Sequence, residues 1–472
     1  MRVTNTMLTN RFMLDVHRNM TALYNYTIQM ETGKKIQQPS DDPIVAARAL
    51  KFRTAYSETE QYMRNVQQGL SWMQVTEAGF RNAMEMLVGN GNDGGIRQLC
   101  VSASSSDKTY SDRQAIAENI RSFADQIKSE MNITFAGRYL FSGYRTDQPP
   151  VYEKDNTENY RITQQFKVTD IERTFCFQKL VSTEEPTIED ITLLKLAYKD
   201  AGTLSAQMVN YSGVPPAIAV TSTSSTVATA YDPPAANEVK YIQDTGELLI
   251  GTGVETYMEQ GDLEITYQKQ NFKAGELNPL AYFTCTDLNT GLNYVMDHEY
   301  EYEVGVNTRL NVNSLAKDAL TDKMYADLTL LQDLLAKVTI SDRDALIDSI
   351  MTANPTMTRE DAATEADDQI TRENQNVSNL LHDRFNNMIG LIDKHMAQMS
   401  NEHTDLGSRM TRMEMIENRL MQDRTIYEEL RSNNEDVDMV ELSVYMSNTK
   451  AVYDASLMAG AKIIQLTLAN FI

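Results

Sequence analysis

Phe52, Tyr56, Met63, Val66, Leu70, Met73, Phe80, Met84 and Leu87 fall on one heptad register, interrupted only by Thr59 and Glu77. A seam kept over five heptads suits a long helix laid along a partner helix. From Pro43 to about Val88, at 1.5 Å per residue, such a helix runs roughly 65 Å. A second array, from about 371 to 430, supplies the matching seam. Leu381, Phe385, Met388, Ile392, Met399, Leu406, Met413, Ile416, Leu420, Tyr427 and Leu430 share its register, with His395, Glu402, Arg409 and Asp423 as polar members. These inner stripes read as an intramolecular core.

Outside each array, beyond a break, lies a shorter amphipathic helix. Residues 1–31 carry Met13, Val16, Met20, Leu23, Thr27 and Met30; the last helix carries Leu442, Tyr445, Val452, Ala455, Ala459, Ile463 and Leu466. A lone helix cannot bury such a stripe. Seven or eight side chains at about 1.5–3 kcal/mol each leave about ten or more kcal/mol unrealised without a partner surface. The expectation is that both ends are largely unfolded in the monomer and fold on assembly.

The first break, TGKKIQQPSDDP at 32–43, reads as a joint. Gly33 suits a helix C-cap, Asp42 an N-cap, and Pro43 the first helical position, where its missing N–H costs nothing. Lys34 and Lys35 have two readings: hydrogen bonds to the last carbonyls of the preceding helix, or simple solubility. The second break is RSNNED at 431–436.

A Gly- and Ser-rich break (GNGNDGG, then SASSSD) separates the first array from a helix over about 107–137. The texture then changes: 151–314 is rich in Thr, Val, Tyr, Pro and Gly, with alternating runs such as GELLIG and LEITYQ, and reads as β structure. The low-charge run GVPPAIAVTSTSSTVATAYDPPAAN reads as an exposed loop. Two or three helices, broken around TANPTMT, fill 315–370. The fold expected is mainly α with a β-rich insert: paired N- and C-terminal coiled-coil helices form a rod, with a β domain between them. Its parts are an N-terminal assembly helix and joint (1–42), the N-terminal half of the rod (43–150), a β-rich outer domain (151–314), the C-terminal half of the rod (315–432) and a C-terminal assembly helix (433–472).

The net charge of −23 makes this a poor nucleic-acid binder, and no polybasic run suits an anionic membrane. No stretch of about 18 apolar residues occurs, and the N-terminus lacks the apolar core of a cleavable signal. Cys100, Cys176 and Cys285 are far apart and read as isolated thiols. GNGNDG at 89–94 matches G-x-G-x-x-G by letter but follows a helix, with no βαβ unit around it, so it reads as a turn. His382, His395 and His403, spaced by 13 and 8, lie about 140° and 80° apart around a helix. They read as one polar seam residue, His395, and two solvated neighbours. Nothing singles out a catalytic carboxylate pair, so no catalytic residue, cofactor or metal is expected, and the chain reads as no enzyme.

Four stretches carry a resemblance. METGKKIQQPSDDPIVAARAL and ELSVYMSNTKAVYDASLMAGAKIIQL resemble the N- and C-terminal signatures of bacterial flagellins and their relatives. AGRYLFSGYRTDQPP at 136–150 and LGSRMTRMEMIENRL at 406–420 are similar to the hook–filament junction family within them, the type 3 hook-associated proteins. The resemblance covers roughly 1–150 and 385–472. It implies a structural component of the flagellum, exported without a cleaved signal peptide through the flagellar type III channel and located outside the cell. Implied partners are other copies of itself, the first hook-associated protein, flagellin, and an export chaperone on the C-terminal helix. A flagellin-type filament subunit is the alternative.

Overall fold

The computed structural model describes residues 5–90, 94–105, 107–177, 188–225, 227, 229–295, 300–337 and 342–469. Helix α1 spans Asn5–Thr32, α2 Pro43–Val88, α3 Ile96–Ala103 and α4 Tyr110–Met131. A two-residue hairpin follows (β1, Thr134–Phe135; β2, Arg138–Tyr139). The central strands are β3 (Asn156–Phe166), β4 (Glu172–Phe177), β5 (Ile188–Lys195), β6 (Leu204–Val209), β7 (Ala219–Thr223), β8 (Glu238–Ile242) and β9 (Glu247–Ile250). After the short α5 (Thr252–Met258) come β10 (Asp262–Phe272), α6 (Pro279–Tyr282), β11 (Thr284–Asp287), β12 (Asn293–Tyr294), β13 (Glu301–Gly305) and β14 (Thr308–Asn311). The chain closes with α7 (Ala316–Ala319), α8 (Asp322–Lys337), α9 (Arg343–Ala353), α10 (Arg359–Glu435) and α11 (Met439–Ala469). It is a mainly helical chain whose terminal helices flank a β-rich centre.

Two compact units divide it. Unit 1 comprises residues 1–68, 303–309 and 413–472; unit 2 comprises 69–302 and 310–412. In unit 1, α2 and α10 run antiparallel. Asn434 Nδ2 donates to the Val45 carbonyl at 3.1 Å and Gln67 Nε2 to Glu417 Oε1 at 3.4 Å. The Arg431 guanidinium lies 4.7 Å over the Tyr56 ring. Met63, Val66, Met413, Ile416 and Leu420 are buried there, as the heptad registers require. Leu430, also on that register, is exposed.

In unit 2 the same two helices bury Leu70, Met73, Phe80 and Leu87, and Leu381, Phe385, Met388, Ile392, Met399 and Leu406. The Phe80 ring meets Phe141 edge-on at 5.4 Å, and Gly79 leaves room for it. Two five-stranded sheets make the β region, in orders β12-β11-β3-β10-β6 and β4-β5-β9-β8-β7. Tyr160, Ile162, Gln164 and Phe166 of β3 are buried at every second position, as are Leu263, Ile265, Tyr267 and Lys269 of β10.

Three readings change. The supposed break after α2 contains a helix, α3, whose Ile96, Cys100 and Ala103 are fully buried; eight residues are too few for periodicity to announce. The run 213–237, read as loop, holds β7, which pairs parallel with β8; Thr and Ser without charge suit a strand as well as a loop. Helix α10 itself begins at Arg359, ahead of the heptad array, and its Ala362 and Ala366 form a small apolar cluster with Ile347. Cys100 and Cys285 are free thiols, while the Cys176 side chain lies outside the described residues.

Candidate functional site

The two ends of the chain pair within unit 1, α1 running antiparallel to α11. Phe12 packs its ring against Gly460, where no Cβ would fit. Asn19 Nδ2 reaches Ser456 Oγ at 3.4 Å, and Tyr26 stacks on Tyr445 with ring centroids 6.3 Å apart. Phe12, Asn19 and Tyr26 are one heptad apart, so the contact is a true helical seam.

Of the assembly residues read from the sequence, Val16, Leu23 and Met30 are half-buried and Leu442 is buried. Met13, Met20, Tyr445, Val452, Ala455 and Ala459 are exposed. The side chains of Ile463 and Leu466 lie outside the described residues. Half of the α1 stripe read from sequence, Val16, Leu23 and Met30, thus shares the seam of Phe12, Asn19 and Tyr26, while Met13, Met20 and Thr27 lie one residue away from it. Two apolar tracks run side by side on α1, and the polar Asn19 disguised the inner one.

At the joint, Gly33 has φ 69°, a left-handed conformation that favours glycine, and its N–H caps α1 through the Gln29 carbonyl at 2.9 Å. Asp42 Oδ1 accepts from Ile44 N at 2.9 Å and Val45 N at 3.1 Å, starting α2 at Pro43. Between the caps the chain binds the other end of the molecule. Lys35 N donates to the Glu435 carbonyl at 2.7 Å and Val437 N to the Gly33 carbonyl at 3.0 Å. Lys35 Nζ reaches the Asn433 carbonyl at 2.9 Å and Lys34 pairs with Asp436. The two lysines thus engage the last turn of α10, not that of α1. The joint is double, with two stretches far apart in sequence holding each other. Asp438 then caps α11, accepting from Val440 N at 2.8 Å.

Glu435 is the pin of this joint. Its side chain is 2% exposed, and it takes Arg53 Nε at 2.7 Å and Nη2 at 2.6 Å, with Lys34 Nζ at 3.5 Å. Burial pushes its carboxyl up, but the Arg53 hydrogen bonds and charge, aided by Lys34, outweigh this and hold it below the usual glutamate range. The hydrogen bond from Lys34 lowers Asp436 likewise. Carboxylates depressed in the fold contribute stability above their unfolded pKa values of about 4, and lose it as pH falls through the lower folded values. Protection of the amides across 33–37 and 434–438, relative to their unstructured exchange rate at each pH, should therefore be high at pH 6 and fall below about pH 4. Arg53 is largely exposed, so Glu435→Gln should cost about 1–2 kcal/mol at neutral pH and flatten that acid step. Unchanged protection in the variant would remove the pin.

Unit 2 holds a second ionic cluster, which sequence reading missed. Lys195 of β5 is buried between Glu172 of β4 and Asp327 of α8, each 3.2 Å from Nζ, and Asp327 also bonds His395 Nε2 of α10 at 2.7 Å. Burial pushes Asp327 up, yet Lys195 and His395 bring it down to about 2. Burial dominates at Glu172, whose carboxyl is raised. His395 is thus a polar seam residue with a partner. His403, read as solvated, is half-buried beside Phe80, with Nε2 3.7 Å from Glu77. No signal marked the partners, whose contacts join residues 23, 68 and 132 positions apart. Arg113 was missed too: fully buried, it ties α4 to the Ala103 carbonyl at 2.9 Å and to Ser378 Oγ of α10 at 2.9 Å.

Among the described residues no group of three or more His, Cys, Asp or Glu side chains could hold a metal ion, and no helix is long and apolar enough to cross a membrane. What the site offers is surface: a helix pair with apolar faces outward, mounted on a double joint.

Residues 3–146 match the bacterial flagellin N-terminal helical region and residues 389–472 the bacterial flagellin C-terminal helical region. Both ends of the chain are thus similar to the helical ends of bacterial flagellins. The chain is also similar to flagellar hook-associated protein 3. It is 28% identical to that protein of Escherichia coli K12 over 162 residues, 33% of this chain and 47% of the relative. The chain spans about half the length of this relative. It is also 29% identical over 113 residues to a flagellin of Escherichia coli O127:H6, 24% of this chain and 20% of that one. Among solved structures it is similar to a putative flagellar hook-associated protein from Vibrio parahaemolyticus, at 12% identity and a TM-score of 0.36, covering 84% of this chain and all of that one.

Proposed function

We propose that this chain is a structural subunit of the hook–filament junction, joining the hook, through the first hook-associated protein, to the flagellin filament. Its mechanism is coupled folding and helical assembly of the terminal helices. One observation carries the reading: the α1–α11 pair leaves apolar faces in water. Met13 and Met20 are exposed on α1; on α11, Val440 is 76% and Met458 72% exposed, and Val444 and Val452 are also in water. Apolar side chains left in water on a helix are stabilised when a partner surface covers them. A pair joined along one seam satisfies one face each, and identical neighbours supply the rest. Heterologous contacts of that kind need not close, and they build helical tubes.

Export through the flagellar type III channel suits ends held by a single seam, and a chaperone would cover α11 before assembly. In this reading the β-rich centre faces outward, and the joint connects inner and outer layers. The flagellin match supports a second reading, a filament subunit. Immunogold labelling of flagella with antibody to residues 151–314 separates the two. A short band between hook and filament is the expected result. Label along the whole filament would replace the junction with the filament reading, and label absent from the flagellum would overturn both.

A further inference from the structure

In the ionic cluster of unit 2, two carboxyls converge on one ammonium. Lys195 Nζ lies 3.2 Å from both Glu172 Oε2 and Asp327 Oδ1, and Asp327 Oδ2 meets His395 Nε2 at 2.7 Å. The two carboxyls are also within hydrogen-bonding reach of each other. With both ionised and the imidazole neutral, the cluster holds one negative charge too many in a largely buried place, which is costly. The surrounding charges have their own positions. Arg173 of β4 pairs with Glu255 at 2.7 Å, Lys323 of α8 pairs with Asp170 at 2.6 Å, and Glu247 of β9 takes the Tyr231 hydroxyl at 2.7 Å. Arg384 and Lys394 of α10 stand on the wall of an adjoining cavity of about 240 Å³, and Lys394 is exposed, so solvent screens it. One proton between the carboxyls removes the excess charge and turns a repulsion into a hydrogen bond. Glu172 is where that proton fits: its side chain is 24% exposed and borders the cavity, so solvent reaches it without unfolding. Burial raises its carboxyl, Lys195 opposes the rise, and Asp327 adds to it.

We propose that Glu172 and Asp327 share one proton, and that this proton is the catch of a latch fastening the sheet of β4 and β5 to α8 and α10, loosened as pH rises. Deprotonation sends the proton to water and leaves two carboxylates sharing Lys195. The sign is that of a raised acid: the contribution is complete below the ordinary glutamate pKa of about 4.3 and is lost as pH rises through the folded value. This is opposite to the terminal joint, whose carboxylates are depressed. The latch lies wholly within unit 2, so it stands or falls separately from the junction reading.

The test is hydrogen exchange of the full chain from pH 5 to 8, read as protection relative to the unstructured rate at each pH. Protection of β4, β5 and α8 should fall as pH rises, approaching about tenfold per pH unit, the limit for one proton. Glu172→Gln keeps an N–H for Asp327 and cannot ionise, so its profile should be flat. His395→Gln keeps a donor to Asp327 and should leave the slope in place. A flat profile in the unaltered chain overturns the proposal without recourse to any variant. So does an unchanged slope in Glu172→Gln, or a slope lost in His395→Gln, which would place the proton on the imidazole.

Discussion

Asp327→Ala should lower the stability of unit 2 by about 3–5 kcal/mol, the usual consequence of removing one member of a buried ion pair. The loss is not that of one contact. Lys195, buried on β5, would keep only Glu172, and His395 would face an empty site on α8. An ammonium with too few partners in a buried site is the expensive product, more than the missing bond. The apolar replacement Lys195→Met with Asp327→Leu should therefore cost less than Asp327→Ala alone. Thermal unfolding of the three proteins measures this directly. A cost for Asp327→Ala below about 1 kcal/mol would show that water reaches the cluster. The pH dependence has a definite sign. Asp327 is depressed, so its contribution is complete above the ordinary aspartate pKa of about 3.9 and fades as pH falls toward 2. Glu172, raised by burial, works in the opposite direction and costs stability once pH rises through its folded pKa.

What the sequence discloses depends on whether the physics is periodic or convergent. The seams of α2 and α10 are periodic, so Val66, Met73, Phe80, Leu381 and Ile392 could be placed in the core from spacing alone. Caps are local, so Gly33, Asp42 and Pro43 could be assigned from neighbouring residues. Convergent features leave no such trace. Lys34 meets Asp436 across 402 residues, and Lys195 meets Asp327 across 132. Each carboxylate looks like any other in a chain with 66 of them. The α1 seam is an intermediate case. Its period was visible, but two tracks ran in parallel, and the α11 residues opposite Phe12, Asn19 and Tyr26 decide which of them is covered.

Deleting residues 437–472 should abolish assembly while leaving unit 2 folded. The deletion removes α11, and α1 then loses the partners of Phe12, Asn19 and Tyr26 together. A solitary 28-residue helix with polar positions inside its seam is marginal in water. Half of the double joint goes too, because Asp438 and the amide of Val437 are lost, although Glu435 and Asp436 remain. Unit 2 contains none of the deleted residues, so its thermal transition should be unchanged. The intact monomer sets the reference. With its outer apolar faces in water, the α1–α11 pair should open often enough for trypsin to remove roughly 40 residues from each end and leave a resistant core. In assembled flagella the same ends should resist. If the truncated protein forms a normal junction, the terminal pair is not the assembly element. If the monomer's ends resist cleavage as the assembly does, the pair is already complete alone, and neighbouring copies must dock on some other face.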